Sequence, residues 1–191
     1  MRLPRLAALL ALAILLPLPA FADASLATYD AARDALLAVW AELPLTVRNV
    51  TLTREIAAGY GSYQPRENHA YQVGEQIHVY VEVLGYGWRD NGDGTLSSLL
   101  DADLNLLDAA GNKLATQTKF LDSEQVSRQK LLETYLTLNA SLSSFEPGDY
   151  QLQFVLHDLA GHKDTIFAVP VTLVGDASSS APAEAPSSAA Q

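Results

Sequence analysis

Two strand-like runs of this chain close on one pattern, Asp-x-x-Gly-x-Lys. Asp103-Leu104-Asn105-Leu106-Leu107 leads into Asp108-Ala109-Ala110-Gly111-Asn112-Lys113, and Gln151-Leu152-Gln153-Phe154-Val155-Leu156-His157 leads into Asp158-Leu159-Ala160-Gly161-His162-Lys163. In such a turn the glycine supplies the positive φ that reverses the chain, and the aspartate accepts hydrogen bonds from the turn's backbone N–H groups. Two such reversals commit the chain to antiparallel β pairing.

The hydrophobic period agrees. Ile77, Val79, Val81 and Val83 alternate with His78, Tyr80 and Glu82, the pattern of a strand with one buried face. The same alternation runs through Leu132, Thr134, Leu136, Leu138, Ala140 and Leu142, through Tyr150, Leu152, Phe154 and Leu156, and through Phe167, Val169, Val171 and Leu173. Weaker strand signals cover 45–54, 99–107 and 113–121. Pro147-Gly148-Asp149-Tyr150 has the form of a tyrosine corner, in which the phenol bonds backbone across a sandwich. The expected fold is all-β: an immunoglobulin-like antiparallel two-sheet sandwich of about seven strands over 45–175, preceded by a short amphipathic helix within 23–44. In that helix Leu26, Tyr29, Leu36, Leu37, Trp40 and Leu43 form one stripe, Ser25 is the N-cap and Pro44 the stop. The stripe is expected to pack on the domain that follows; a partner-binding arm is the alternative.

The ends of the chain point to export. Arg2 and Arg5, an apolar stretch over 6–16 and Ala20-Phe21-Ala22 make a secretory signal over 1–22 with cleavage after Ala22. The apolar stretch is well short of the ~20 residues of a membrane span. With no cysteine there is neither a disulfide nor a thiol for acylation, so the expected location is the periplasm, or outside the cell, with no membrane insertion after cleavage. Residues 176–191 are mostly Ser, Ala and Pro and read as a disordered tail. Loss of the two signal arginines leaves ten basic residues against 22 acidic ones, changing the net charge from −10 to −12, which argues against nucleic acid as a partner.

The densest side-chain chemistry lies over 59–95, which holds six of the chain's ten tyrosines and tryptophans with arginines among them. Tyr60, Tyr63, Arg66, Tyr86, Trp88 and Arg89 are the candidate ligand-binding residues, since aromatic faces beside guanidinium groups suit sugars and protein partners. The competing expectation is that these rings cap the open end of the sandwich. A binding role for Trp88 implies that Trp88→Ala weakens partner capture while sparing thermal stability.

Other motifs are weaker. Asp90-Asn91-Gly92-Asp93-Gly94-Thr95 has oxygen ligands for calcium but lacks EF-hand spacing, and its Asn-Gly and Asp-Gly pairs read as a hairpin turn. Asp101 and Asp103 fall on one strand face about 7 Å apart, a spacing open to a glycosidase acid/base pair or to a solvated sheet face. His69, His78, His157 and His162 have no zinc-motif spacing, no nucleophile elbow surrounds any serine, and the glycines form no dinucleotide fingerprint. Neither a metal nor another cofactor is expected.

Gly61-Ser62-Tyr63-Gln64-Pro65-Arg66, Tyr71-Gln72-Val73-Gly74-Glu75 running into Val79-Tyr80-Val81-Glu82-Val83, Ala102-Asp103-Leu104, the segment from Ser127-Arg128 through Glu133, and Pro147-Gly148-Asp149-Tyr150 together resemble a set of uncharacterised exported bacterial proteins. More distantly, the Val-Gly-Glu and Pro-Gly-Asp-Tyr strand entries are similar to macroglobulin-type and other bacterial immunoglobulin-like domains. The resemblance implies the sandwich fold and carries no activity. The expected function is therefore non-catalytic: binding an envelope protein or glycan through the aromatic stretch. The alternatives are a polysaccharide hydrolase using Asp101 and Asp103, or a structural subunit docking through its helix.

Overall fold

The computed structural model describes residues 25–175; the signal segment 1–22 and the tail 176–191 lie outside the described residues. Helix α1 (Leu26–Glu42) is followed by β1 (Thr46–Thr53), β2 (Ala70–Gln72), β3 (Gln76–Leu84), β4 (Arg89–Asp90), β5 (Leu96–Asp108), β6 (Lys113–Ser127), β7 (Thr134–Ser141), β8 (Gly148–Asp158) and β9 (Lys163–Val174). All seven strands expected from the sequence are present, and β2 and β4 are short additions of three and two residues. They escape a periodicity reading because neither completes a full alternation.

The strands form two sheets, a small one in the order β1-β3-β7 and a large one in the order β2-β9-β8-β5, with β4 and β6 both pairing β5. Every pairing is antiparallel except β2 with β9. The core is the alternation made physical. Ile77, Val79, Val81 and Val83 of β3 join Leu136, Leu138 and Ala140 of β7 in one layer; Leu100, Ala102, Leu104, Leu106, Leu152, Phe154, Leu156, Val169, Val171 and Leu173 supply the other.

The two Asp-x-x-Gly-x-Lys turns both close hairpins, β5–β6 and β8–β9. They do so differently. In the first, Gly111 carries the positive φ of 86° and Asp108 accepts from the N–H groups of Ala110 and Asn112. In the second, the positive φ of 54° falls on His162 instead. Gly161 is needed there for space, because a Cβ at that position would lie 3.0 Å from the Gly87 nitrogen and against the Asp158 carboxylate. The Tyr150 corner forms, but its bond is local and not the cross-sandwich one expected. Its hydroxyl donates to the Glu146 carbonyl at 2.8 Å, so it clamps its own Pro-Gly turn and does not reach across the sandwich.

Two compact units divide within α1, between Leu36 and Leu37. In the first, the Ser25 hydroxyl caps the helix by accepting from the Thr28 N–H. Leu26, at 76%, and Tyr29 and Leu36 are exposed in this unit. In the second unit Trp40 is buried and donates its indole N–H to the Tyr86 carbonyl at 2.9 Å. The last turn of α1 has no basic residue of its own. Its orphan carbonyls receive the Lys163 ammonium, 2.7 Å from the Leu43 oxygen and 3.3 Å from that of Ala41.

Candidate functional site

On β3 the residues opposite the core-facing valines are His78, Tyr80 and Glu82, and period-two geometry sends them to the outer face of the small sheet. Tyr80 and Glu82 are nonetheless only 0% and 4% exposed. The segment 54–66 folds back across that face, held by the bonds from Arg54 N–H to the Gln64 carbonyl and from Arg66 N–H to the Leu52 carbonyl. Gly61, at φ 67°, turns its N–H onto the Tyr80 phenol oxygen at 2.8 Å.

Beneath this cover Glu82 is the hub. It accepts from Arg48 Nε at 2.7 Å, from the Tyr60 hydroxyl at 3.1 Å and from the Tyr80 hydroxyl at 3.1 Å. Asn49, left-handed at φ 51° in the bulge of β1, adds a side-chain bond. Burial alone would push the Glu82 carboxyl up; the bonds from Asn49, Arg48, Tyr80 and Tyr60 outweigh it and hold the group below its ordinary range. Burial is the main cause that pushes the Tyr80 phenol up to about 12, with Glu82 adding to it against the Gly61 N–H. Both groups keep their charge state at neutral pH, Glu82 ionised and Tyr80 neutral.

The aromatic part of the site is a stack of three rings. Tyr63 lies 4.2 Å from Tyr80, and Tyr80 lies 5.5 Å from Tyr135 of β7, with interplanar angles of 30° and 24°. Tyr80 is enclosed, whereas Tyr63, Tyr135 and Tyr60 are half-buried and reach the surface. Arg48, its side chain 53% exposed, bridges Tyr60 and Glu82. The result is a firm aromatic surface with its polar edges fixed.

The candidate residues of the 59–95 stretch separate into distinct environments. Tyr60 and Tyr63 belong to the surface just described. Arg66 lies 4.0 Å over the Tyr71 ring, ion-paired with Glu75 at 2.8 Å and donating to the Ala70 carbonyl, so it fastens β2. Tyr86 is fully buried, with its hydroxyl donating to the Leu131 carbonyl; it has no ring face to offer a ligand. Trp88 is half-buried against Trp40 and Tyr86, at 5.9 and 5.4 Å. Arg89 is exposed, 3.4 Å from Glu124. Sequence reading missed Arg48, Glu82 and Tyr135. The outward alternation of β3 and β7 was a signal for the last two, while the pairing of Arg48 with Glu82 depends on β1–β3 register.

The other motifs have simpler settings. In the Asp90–Thr95 turn, Asp90 accepts from the Gly92 N–H and Asp93 from the Thr95 N–H and hydroxyl, so the carboxylates serve the turn itself. Asp101 and Asp103 share the outer face of the large sheet with His157 and Asp164, beside an open depression of about 610 Å³. His157 Nδ1 lies 2.6 Å from Asp164, and its Nε2 lies 3.8 Å from Asp103. Among the described residues no group of three or more side chains is arranged to hold a metal ion. No described helix is long and apolar enough to cross a membrane. No protein-family model matches the chain, and no curated protein is a match for it.

Proposed function

We propose that this chain is an exported, non-catalytic binding module of the bacterial cell envelope that recognises a protein or glycan through the outer face of its small sheet. The observation that carries the reading is the Tyr63–Tyr80–Tyr135 stack braced by Arg48, Tyr60 and the buried Glu82. Rigid tyrosines present flat apolar area at small entropic cost, and an arginine at their edge adds directional donors. Most of the sequence's other aromatic candidates are occupied with packing, so the binding residues reduce to Arg48, Tyr60, Tyr63 and Tyr135. The signal-like segment 1–22 and the likeness to exported bacterial proteins support the envelope assignment.

The test is partner capture by the full chain in the native envelope, using a photo-crosslinker at Gln64 beside the stack, together with glycan-array binding. Tyr63→Ala with Tyr135→Ala should weaken capture about tenfold or more, because a ring anchor contributes more than about 1.4 kcal/mol. Unchanged capture by that double variant overturns the reading. Turnover of an envelope polysaccharide that is abolished by Asp103→Asn would replace it with the hydrolase alternative.

A further inference from the structure

The inward row of β5 changes character at one end. Leu106, Leu104, Ala102 and Leu100 belong to the core, and the next position in that alternation is Ser98. Register places Ser123 and Gln125 of β6 opposite Leu100 and Ser98, so the polar end of the row continues across the strand pair. These residues meet Glu133, Thr134 and Tyr135, at the entry to β7, around a pocket of about 260 Å³ with Leu100 as its apolar floor.

Ser98 is only 4% exposed, and its hydroxyl has no hydrogen-bond partner among the described residues. A hydroxyl so placed is ordinarily bonded, because burying it unpaired is costly. That of Ser98 is not sealed in the core; it opens to the pocket. The Ser123 hydroxyl, in the same wall, is likewise without a partner among the described residues. Gln125 is anchored through its Oε1, which accepts from the Thr134 hydroxyl at 3.0 Å, and this leaves its amide N–H groups to donate. Glu124 has Arg89 at 3.4 Å, whereas Glu133 has no ion pair among the described residues.

The volume lies just below the ~300–1,000 Å³ of drug-sized ligand sites, room for one ring-sized group. The polar groups differ in kind: Ser98 and Ser123 donate and accept, Gln125 donates and Glu133 accepts. Neighbouring hydroxyls on a saturated ring match that set, with the ring's C–H groups against Leu100. An apolar peptide side chain would leave the same groups unpaired, and the uncompensated Glu133 carboxylate repels an acidic ligand. Tyr135 lines this pocket and also stacks on Tyr80 at 5.5 Å, so the pocket and the tyrosine surface are continuous.

We infer that this pocket is a subsite for one neutral sugar residue of a glycan whose following residues run over Tyr135 onto the tyrosine stack. The path beyond the pocket rests on the binding role proposed above for that surface, and the pocket narrows its ligand to an uncharged glycan.

Amide NMR spectra of the full chain, titrated with cellotetraose, maltotetraose, the tetramer of N-acetylglucosamine and tetragalacturonate, test the inference. At least one of the neutral tetramers should shift the amides of Ser98, Ser123 and Gln125, and tetragalacturonate should leave them in place. Ser98→Ala with Ser123→Ala should weaken that binding about tenfold or more while the urea midpoint holds, since neither hydroxyl bonds anything in the fold. No shift at these amides with any neutral tetramer, an equal response to tetragalacturonate, or unchanged affinity in the serine double variant overturns the inference. Binding that survives the serine double variant but is lost in Tyr63→Ala overturns the inference alone. Binding lost with the serines and untouched by Tyr63→Ala upholds the sugar in the pocket and overturns the tyrosine reading.

Discussion

The carboxylate of Asp158 accepts a 2.7 Å hydrogen bond from the backbone N–H of Gly87, 71 residues earlier in the chain. Its other oxygen takes the N–H groups of Ala160 and Gly161, and the Gly87 and Gly161 backbones approach so closely that a Cβ on Gly87 would lie 2.7 Å from the Gly161 Cα. A hairpin turn thereby becomes a clasp that holds the loop after β3. Lys163, the last residue of the same motif, completes it with a 2.8 Å bond to the Gly85 carbonyl.

The twin turns therefore respond differently to the same substitutions. Gly111 has open space around it and a positive φ, so Gly111→Ala should cost about 1 kcal/mol and Gly111→Asn distinctly less, since asparagine tolerates the left-handed region. At Gly161 the obstacle is steric, and Ala and Asn should both cost about 2 kcal/mol or more. Urea unfolding of the four variants checks this; rescue of position 161 by asparagine would contradict it.

Lys163→Met should lower stability by about 2 kcal/mol, because three carbonyls lose a charged donor. Lys113→Met, at the matching position of the first turn, should stay within about 0.5 kcal/mol. Trp40 fluorescence should shift to the red only in the Lys163 variant, as the helix end frays from the buried indole.

Much of this architecture was legible in the sequence, and the limits are instructive. Alternation identified β3, β7, β8 and β9 because one face of each is buried, while β6, with no buried residue, left only a weak signal, and the Asp-x-x-Gly-x-Lys turns located both hairpins. What the letters of the second turn could not show is that its Asp, Gly and Lys all engage the Gly85–Gly87 loop, a long-range contact with no local signature. The aromatic stretch was harder still. Tyr63 and Tyr86 are alike in sequence, and only the fold-back of 54–66 onto β3 brings one to a surface while Tyr86 is enclosed. Trp88 packs on Trp40 and Tyr86, an arrangement of the end-capping kind weighed against a binding role.

Glu82→Gln should destabilise the chain by about 2 kcal/mol, less than the loss of a partner from a fully buried ion pair because Arg48 is half exposed. The carboxyl is held below its ordinary value in the folded state. Its contribution is therefore present above that ordinary value and is lost as pH falls through the folded one. Thermal midpoints measured from neutral to acid pH should fall more steeply in the parent chain than in Glu82→Gln; parallel curves would show that Glu82 is not the titrating group.

His157 has the opposite sign. It stands on β8 between Asp101 of β5 and Asp164 of β9 in register, with Asp103 of β5 at 3.8 Å and Lys119 and His162 lining the same depression. Asp122 of β6 lies opposite Asp101. The hydrogen bond to Asp164 is the main cause that raises the imidazole above its ordinary value, against partial burial and with help from Asp101 and Asp103. A raised folded value means that the stabilisation is complete below the ordinary histidine value and is lost as pH rises through the folded one. Above that point the aspartates of this face repel one another around a neutral ring. The thermal midpoint should drop as pH rises above the ordinary histidine value, and Asp164→Asn should flatten that slope by removing the strongest partner. His157→Gln should abolish it; a slope that survives in His157→Gln would move the titration to another group.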